Sequence, residues 1–288
     1  MSSSSSSDLE ILAQWRTLGA RHSDQVVEIA TRVLKGSVLG EQEWSVREQL
    51  AIAALDLGQI KLANEQIAIL HRKFPKSPRV RILDGLLLEG KGDENGAKAI
   101  YEDLLEDDET NVSAYQRLIA LLLPSPSETI PKLLSYLDTF YSDPSGWSLL
   151  ADLYAEQGMY TQSLGALGHL ALINGWDEGV LRRSGEVAYT AGDYQLALKH
   201  FLRAAEMEGG EGVNPNTKRT RSWWGIKLAV RRLLESPNSE TSVPDESRTT
   251  SKQLNALDEL ATERLLAAGG KGLEVRRKVL AGGEVLVR

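Results

Sequence analysis

Residues of similar size and type recur every 34 positions along much of this chain. Glycine does so twice, from Gly58 to Gly92 and from Gly158 to Gly192. Other pairs share the spacing: Ala63 and Ala97, Tyr160 and Tyr194, Ala151 and Gly185, Leu167 and Phe201. A segment of this length accommodates two helices and a turn, and stacked copies bury a continuous core that one copy cannot form alone. The spacing therefore predicts an array of helix pairs.

A period of 34 residues with two helices is typical of the tetratricopeptide repeat (TPR). We place five units at 44–77, 78–111, 112–143, 144–177 and 178–211. Small residues at the eighth and twentieth positions of a unit let its two helices approach closely. A glycine after the first helix tolerates the left-handed backbone that ends a helix. The predicted fold is all-α: a TPR α-solenoid, a right-handed superhelix of helix pairs with flanking capping helices.

The unit at 112–143 departs from this pattern. It has 32 residues, and prolines at 124 and 126 replace the glycine turn. Proline ends a helix but fits the first turn of the next one, where no N–H bond is lost. We therefore expect two helices here as well, with Ser127 or Thr129 capping the second and Pro131 in its first turn.

The flanks do not repeat, and an array needs caps at its ends. We expect the serine-rich residues 1–7 to be disordered, because they have nothing to bury. Residues 8–43 should form N-terminal helices that pack on the array. Residues 212–268 should form C-terminal capping helices, interrupted by a polar loop at 236–250. The glycine-rich residues 269–288 are predicted to be a flexible tail.

Charge, cysteine content and the length of apolar runs exclude several classes of protein function. The 33 Lys and Arg against 40 Asp and Glu leave a net charge of −7, which argues against a nucleic-acid binder. Cysteine is absent, which excludes disulfides and thiolate chemistry and favours an intracellular compartment. Neither a secretory signal nor an apolar run of membrane-spanning length is visible.

The sequence contains no recognisable catalytic constellation. Four scattered histidines, His22, His71, His169 and His200, are interpreted as surface or packing residues. The acidic run at 106–109 is either a cation or partner site or a solvated turn, and it lacks the ligand spacing of a calcium loop. We therefore predict a protein that is not an enzyme and has no cofactor, metal or small-molecule substrate.

A basic amphipathic helix is predicted at 217–235, with Lys218 and Arg219 near its start. Its candidates for contact with a membrane or a partner are Arg221, Trp223, Trp224, Lys227 and Arg231. One interpretation is contact with an anionic membrane surface or an acidic partner. The other is a capping helix that buries its tryptophans against the last repeat.

The concave groove of the array is the predicted site for partners. The second, fifth, ninth and twelfth positions of a unit line it, which gives Glu48, Arg79, Ile82, Leu86, Gln116, Asp152, Arg182, Glu186 and Tyr189. Arg79 and Arg182 would contact acidic groups or backbone carbonyls of an extended segment, and Tyr189 would anchor it. Only Arg79 occupies a position where chaperone-binding TPR domains hold a carboxylate, so a cochaperone is disfavoured. Alternatively the groove is solvated, and partners use the convex face or the terminal helices.

Several segments carry a more specific resemblance, over roughly residues 10–235. They are His22 to Glu28, Glu48 to Gly58 with its Ala-Ala-Leu-Asp-Leu-Gly, Leu70 to Val80 with Arg-Lys-Phe-Pro-Lys-Ser, Glu106 to Asn111, and Trp147 to Tyr154. The chain resembles subunit 2 of the endoplasmic reticulum (ER) membrane protein complex.

This resemblance implies a non-catalytic scaffold, peripheral on the cytoplasmic side of the ER membrane. Its partners would be cytosolic segments of the complex's membrane subunits and a soluble cytosolic subunit. Its role would be to support insertion of tail-anchored and multipass membrane proteins. The rival hypotheses are an unrelated TPR adaptor or assembly factor that binds peptide segments in its groove, and an enzyme whose catalytic groups the sequence hides.

Overall fold

The structure is a computed structural model that describes residues 2–36, 39–209, 220–270 and 272–281, with side chains from residue 7 onward. It divides into two compact units, Met1–Thr129 and Ile130–Arg288. In the described residues every regular element is helical, with fifteen α-helices and one short 3-10 helix. The predicted all-α class is thereby confirmed.

The first unit has a core built from consecutive helices that pack on one another. Its complete helices are α1 (Ser2–Leu18), α2 (Ser23–Gly36), α3 (Gln42–Asp56), α4 (Ile60–Lys73), α5 (Pro78–Lys91), α6 (Glu94–Asp107) and α7 (Val112–Leu122). Leu12, Val26 and Leu50 join α1, α2 and α3 in one buried cluster. A second cluster joins α3, α4 and α5 through Ala51, Ala54, Ala63, Ile67, Leu70, Val80, Leu83 and Leu87.

The second unit continues the succession of helices. Helix α8 (Pro126–Thr139) crosses the division, and it is followed by α9 (Pro144–Glu156), α10 (Tyr160–Ile173), α11 (Glu178–Thr190), α12 (Tyr194–Glu208), α13 (Arg221–Glu235), α14 (Ser251–Ala267) and α15 (Leu273–Leu280). The 3-10 helix spans Asp245–Ser247. Leu198 and Phe201 of α12, Ile226 and Val230 of α13, and Ala261 of α14 share one buried cluster. Helix α13 is therefore part of the core.

The turns inside the repeats follow the sequence pattern. Gly58, Gly92, Gly158 and Gly192 all have positive φ, at 68°, 80°, 71° and 88°. This is the left-handed conformation for which glycine was predicted. Aspartate is the N-cap residue of several helices. Its carboxylate accepts hydrogen bonds from amides in the first turn, at Asp93 of α6, Asp143 of α9, Asp177 of α11 and Asp193 of α12.

The close approach of paired helices depends on small residues. Ala63, Ala97 and Ala197 are completely buried, as their repeat positions predict. Gly185 of α11 lies against the ring of Phe201 of α12, where an added Cβ would be 2.8 Å from Cδ1. A larger residue at such a position would have to move a packed side chain.

The division between the units falls within the repeat at 112–143, which also departs from the sequence pattern. Helix α8 begins at Pro126, so the expectation that Ser127 or Thr129 caps it is wrong, and Pro131 lies inside the helix beyond its first turn. Ser127 and Thr129 lie inside the helix because proline, which has no N–H to lose, takes its first position. Thr129 instead donates its hydroxyl to the carbonyls of Leu122 and Ser125, and so fixes the turn between α7 and α8.

The two ends of the chain differ from expectation. Helix α1 begins at Ser2, inside the serine run predicted to be disordered. Serine is only a few tenths of a kcal/mol per residue poorer than the best helix formers, so a helix nucleated further along can extend through it. Helix α15 lies inside the predicted flexible tail, with Glu274 in its first turn and Arg277 in its last, both favourable to the helix dipole. The other predicted domain boundaries stay predictions.

Candidate interaction surfaces

Five of the nine predicted groove residues belong to the first unit: Glu48, Arg79, Ile82, Leu86 and Gln116. Arg79 of α5 donates a hydrogen bond from Nε to Glu48 of α3, at 2.6 Å. This bond and the charge of Glu48 raise the pKa of Arg79 above its ordinary value. Ile82 and Leu86 are half-buried, and Gln116 is exposed. Arg79 therefore already has an acidic neighbour, but its side chain is 75% exposed and remains within reach of a partner.

Two clefts share the Glu48–Arg79 ion pair. The first has a volume of about 250 Å³, and its lining includes Arg16, His22, Gln49, Ile52 and Asp56. The second has a volume of about 350 Å³, and its lining includes Trp44, Leu70, Phe74 and Leu83. In the second cleft the rings of Trp44 and Phe74 meet edge to face, with centroids 5.6 Å apart. The ion pair thus lies beside one polar cleft and one aromatic cleft.

The other four groove candidates, Asp152, Arg182, Glu186 and Tyr189, belong to the second unit. Asp152 accepts a hydrogen bond from Arg183, the neighbour of the predicted Arg182. Arg182 instead lies near two carboxylates of its own chain, with nitrogen–oxygen distances of 3.8 Å to Glu186 and 4.0 Å to Glu208. This half-buried arginine has less freedom to meet a partner than Arg79.

Helix α13 contacts the remaining groove candidates. Nε of Arg221 is 2.7 Å from Oε1 of Glu186. Arg232 donates from Nε to the hydroxyl of Tyr189, at 3.3 Å. The predicted groove of the last repeat and the predicted basic helix are therefore parts of one surface. Arg221 of the helix neutralises Glu186 of the groove, and Arg232 of the helix contacts Tyr189 of the groove.

The apolar face of α13 is buried. Ile226 and Val230 are completely inaccessible to solvent, and Trp223 packs against the same core cluster while remaining half-buried. Half-buried Trp224 lines a cleft of about 540 Å³ together with Leu228, Leu234, Val279 and Leu280. This arrangement favours the capping interpretation of the helix.

The basic face of α13 is paired within the chain. Lys227 lies 2.7 Å from Asp258 of α14, and Arg231 donates to Glu235 at 2.9 Å. Lys218 and Arg219, which the sequence analysis also placed on this face, lie outside the described residues. Paired cations attract an anionic surface less strongly than free ones, because their field is largely cancelled locally.

A set of ion pairs between successive first helices of the repeats was missed by the sequence analysis. In each, an arginine bonds a carboxylate one repeat earlier: Arg79 with Glu48 and Arg117 with Glu89 in the first unit, and Arg183 with Asp152 in the second. The partners are 28 to 31 residues apart in sequence. This separation, close to the repeat length, is the signal that could have revealed them.

The histidines have structural neighbours. His169 stacks on Trp147, His22 lies against Trp15, and His71 contacts Asp84 at 2.7 Å. Burial lowers the pKa of His200, against the opposing charge of Asp193. Within the described ranges, no three His, Cys, Asp or Glu side chains are grouped so that they could bind a metal ion. No helix in that part of the chain is long and apolar enough to span a bilayer.

Comparison with known proteins identifies the family. ER membrane protein complex subunit 2-A of Xenopus laevis is 31% identical over 236 residues, which cover 80% of this chain and 77% of the relative. The chain belongs to the ER membrane protein complex subunit 2 family. Another similar protein is the TPR repeat protein oca3 of Schizosaccharomyces pombe, 30% identical over 207 residues that cover 69% of this chain and 71% of oca3. A scan against protein-family models gives no match.

A solved structure supports the fold assignment of this family member. The C-terminal part of a TPR repeat-containing protein from Cytophaga hutchinsonii has a TM-score of 0.60 over 93% of this chain and 98% of that chain. With only 12% identity, this likeness concerns the fold alone. Together with the helix pairs and glycine turns, it establishes the TPR solenoid class.

Proposed function

We propose that this chain is a non-catalytic scaffold subunit of the ER membrane protein complex. It lies peripherally on the cytosolic face of the ER membrane and holds cytosolic segments of membrane subunits together with a soluble partner subunit. In that role it supports insertion of tail-anchored and multipass membrane proteins. The observation that carries the proposal is the match to a complex subunit over 80% of this chain and 77% of that subunit. No cofactor or nucleic acid takes part.

Among the predicted groove residues, those of the first unit are best suited to a partner segment. Arg79 is largely exposed, and Trp44 and Phe74 form an aromatic wall beside it. Tryptophan and arginine are enriched among the residues that dominate binding energies at interfaces. In the second unit, Glu186 and Tyr189 are already contacted by α13. We therefore place a cytosolic segment of a membrane subunit along the two first-unit clefts.

A charge swap tests this placement. The double variant Glu48→Arg with Arg79→Glu keeps an ion pair within the chain but exchanges the charges that a partner meets. Arg79 is 75% and Glu48 20% exposed, so we expect the pair to contribute no more than about 1 kcal/mol and the melting curve to change little. Co-purification of the complex's membrane subunits should be lost.

The matched control swaps another ion pair of the same unit. Arg81 and Asp103 form a salt bridge, and neither lines the two clefts. The variant Arg81→Asp with Asp103→Arg should assemble normally. If the Glu48–Arg79 swap also assembles normally, the partner does not use these clefts, although the scaffold role could stand.

Attachment through protein partners has its own test. Alkaline carbonate strips peripheral proteins from microsomes, and added protease reaches proteins on the cytosolic face. We expect carbonate to release the chain and protease to digest it in intact microsomes. Retention in the membrane pellet, or protection from protease, would contradict the proposed location.

A further inference from the structure

The polar loop between α13 and α14 is fastened to the start of α12 by one carboxylate. Ser242 donates to Oδ2 of Asp193 twice, from its amide at 2.8 Å and from its hydroxyl at 2.7 Å. The hydroxyl of Thr241 donates to Oδ1 of the same residue at 2.6 Å. The next residue, Val243, is buried. These contacts hold the loop against the helix.

Asp193 is also the N-cap of α12, since its Oδ1 accepts a hydrogen bond from the amide of Leu196 at 3.0 Å. Further along the loop, the amide of Thr249 donates to the side-chain oxygen of buried Gln195, at 3.1 Å. The first turn of α12 therefore supplies both anchors of the loop, and the stronger is a charged group that accepts from Ser242.

Ser242 combines three properties of a kinase substrate. It is exposed, and it lies outside any helix. Asp245 and Glu246 follow it at the third and fourth positions, and both are exposed. Acidic residues at these positions complement the basic substrate sites of acid-directed serine kinases. We propose that Ser242 is a phosphorylation site and that its phosphate releases the loop at 236–250 from α12.

The modification uses ATP. Oγ of Ser242 attacks the γ-phosphorus; the new O–P bond forms as the bond to ADP breaks, and the hydroxyl proton passes to the kinase's base. The product carries a charge of about −1.5 to −2 at neutral pH and has lost its hydroxyl donor. The phosphate takes the place of the hydroxyl that donated a hydrogen bond to the Asp193 carboxylate. The attraction between Ser242 and Asp193 is thereby replaced by repulsion between two negative charges.

The loop has one cation of its own to oppose this repulsion. Arg248 is 2.8 Å from Asp245 and donates to the carbonyl of Val243 at 3.3 Å. Its guanidinium is thus already engaged within the loop. The phosphorylated loop should therefore detach from Asp193, which exposes Val243 and the first turn of α12.

The experiment treats the purified full chain with casein kinase 2 and magnesium-ATP. Peptide mass spectrometry locates the phosphate, and hydrogen–deuterium exchange follows fragments spanning 238–249. We expect phosphate on Ser242 and exchange in these fragments roughly tenfold faster or more, since a hydrogen bond to a charged group is lost. The variant Asp245→Asn with Glu246→Gln should be phosphorylated much more slowly, and Ser242→Ala should gain no phosphate at this site.

The variant Asp193→Asn removes the negative charge and also replaces one acceptor oxygen by an NH2 donor, so its own unmodified loop is the baseline for the effect of phosphate. Asparagine is as good an N-cap as aspartate, so α12 should keep its start. Phosphorylation should then accelerate loop exchange much less than in the parent chain. The proposal is overturned if Ser242 in the folded chain takes no phosphate, if phosphate leaves the exchange unchanged, or if the Asp193→Asn variant responds as strongly as the parent.

Discussion

At the residue scale, glycines in the helices pack against the large aromatic side chains of neighbouring helices. Phe201 packs against two glycines, Gly185 of α11 and Gly225 of α13. Gly85 of α5 likewise lies against the ring of Tyr101. In two other repeats the position of Gly85 and Gly185 holds an alanine, Ala51 or Ala151. There the position of the aromatic ring holds a smaller residue, Ile67 or Leu167. Each pair keeps a similar summed volume, as close packing requires.

Gly225→Ala should destabilise the chain. The added Cβ would lie 2.5 Å from Cδ1 of Phe201, so the ring must move. Overpacking of this kind costs roughly 1–3 kcal/mol, which outweighs the gain of about 1 kcal/mol in helix propensity. Urea unfolding measures the difference.

The control is Gly165→Ala in α10, where an added Cβ meets nothing within 4 Å. There the propensity gain should act alone and stabilise the chain by about 0.5–1 kcal/mol. Equal effects of the two substitutions would show that the contact with Phe201 does not set the size limit.

His200 predicts a pH dependence. Burial lowers its pKa in the folded chain, so the fold favours the neutral ring. The stability that this contributes is present above the unfolded pKa of about 6.5 and is lost as the pH falls through the folded value. The free energy of unfolding should therefore decrease from pH 7 to pH 5, and His200→Gln should flatten that slope. An unchanged slope in urea melts at several pH values would contradict the assignment.

At the scale of elements, the sequence predicts where the helices lie far better than it predicts which side chains of different helices contact each other. Glycine and alanine spacing marks the turns and close contacts of the repeats, and α14 at Ser251–Ala267 lies within the region 212–268 where capping helices are expected. The separation of 31 residues could have revealed that Asp152 bonds the next repeat, but not that Arg183 rather than its neighbour Arg182 makes the bond. Adjacent residues point about 100° apart around a helix, and sequence spacing does not fix how far each helix is rotated.

The contacts of α13 escaped prediction for another reason. Arg221 meets Glu186 from 35 residues away, and Arg232 meets Tyr189 from 43. Both contacts join a repeat to a helix outside the repeating pattern, so no period announces them. Nor does the repeat pattern extend to α15, in which three consecutive cations separate Val275 from Val279.

The capping interpretation of α13 predicts unequal effects on its two faces. Ile226 is fully buried and Leu228 is 47% exposed. Ile226→Ala should cost about 2–5 kcal/mol of unfolding free energy, whereas Leu228→Ala should cost well under 1 kcal/mol. Thermal or urea melts of the two variants decide this. If both variants lose little unfolding free energy, α13 does not cap the core of the last repeat.

At the scale of the whole molecule, the proposed function depends on membership of an assembly. The Xenopus laevis relative is named as a subunit of the ER membrane protein complex, and the match covers most of both chains. The ion pairs between successive repeats fix each unit internally and leave the first-unit clefts open. A scaffold of this kind should act by holding partners, so its function should be visible as co-assembly.

The most direct measurement is recovery of the tagged full chain from digitonin-solubilised ER membranes, in cells whose own subunit 2 has been deleted. Mass spectrometry then identifies what is recovered with it. If the chain is a scaffold subunit, the membrane subunits of the ER membrane protein complex should be recovered in comparable amounts, together with a soluble subunit. Recovery of the folded chain alone, or only with proteins unrelated to that complex, would contradict it.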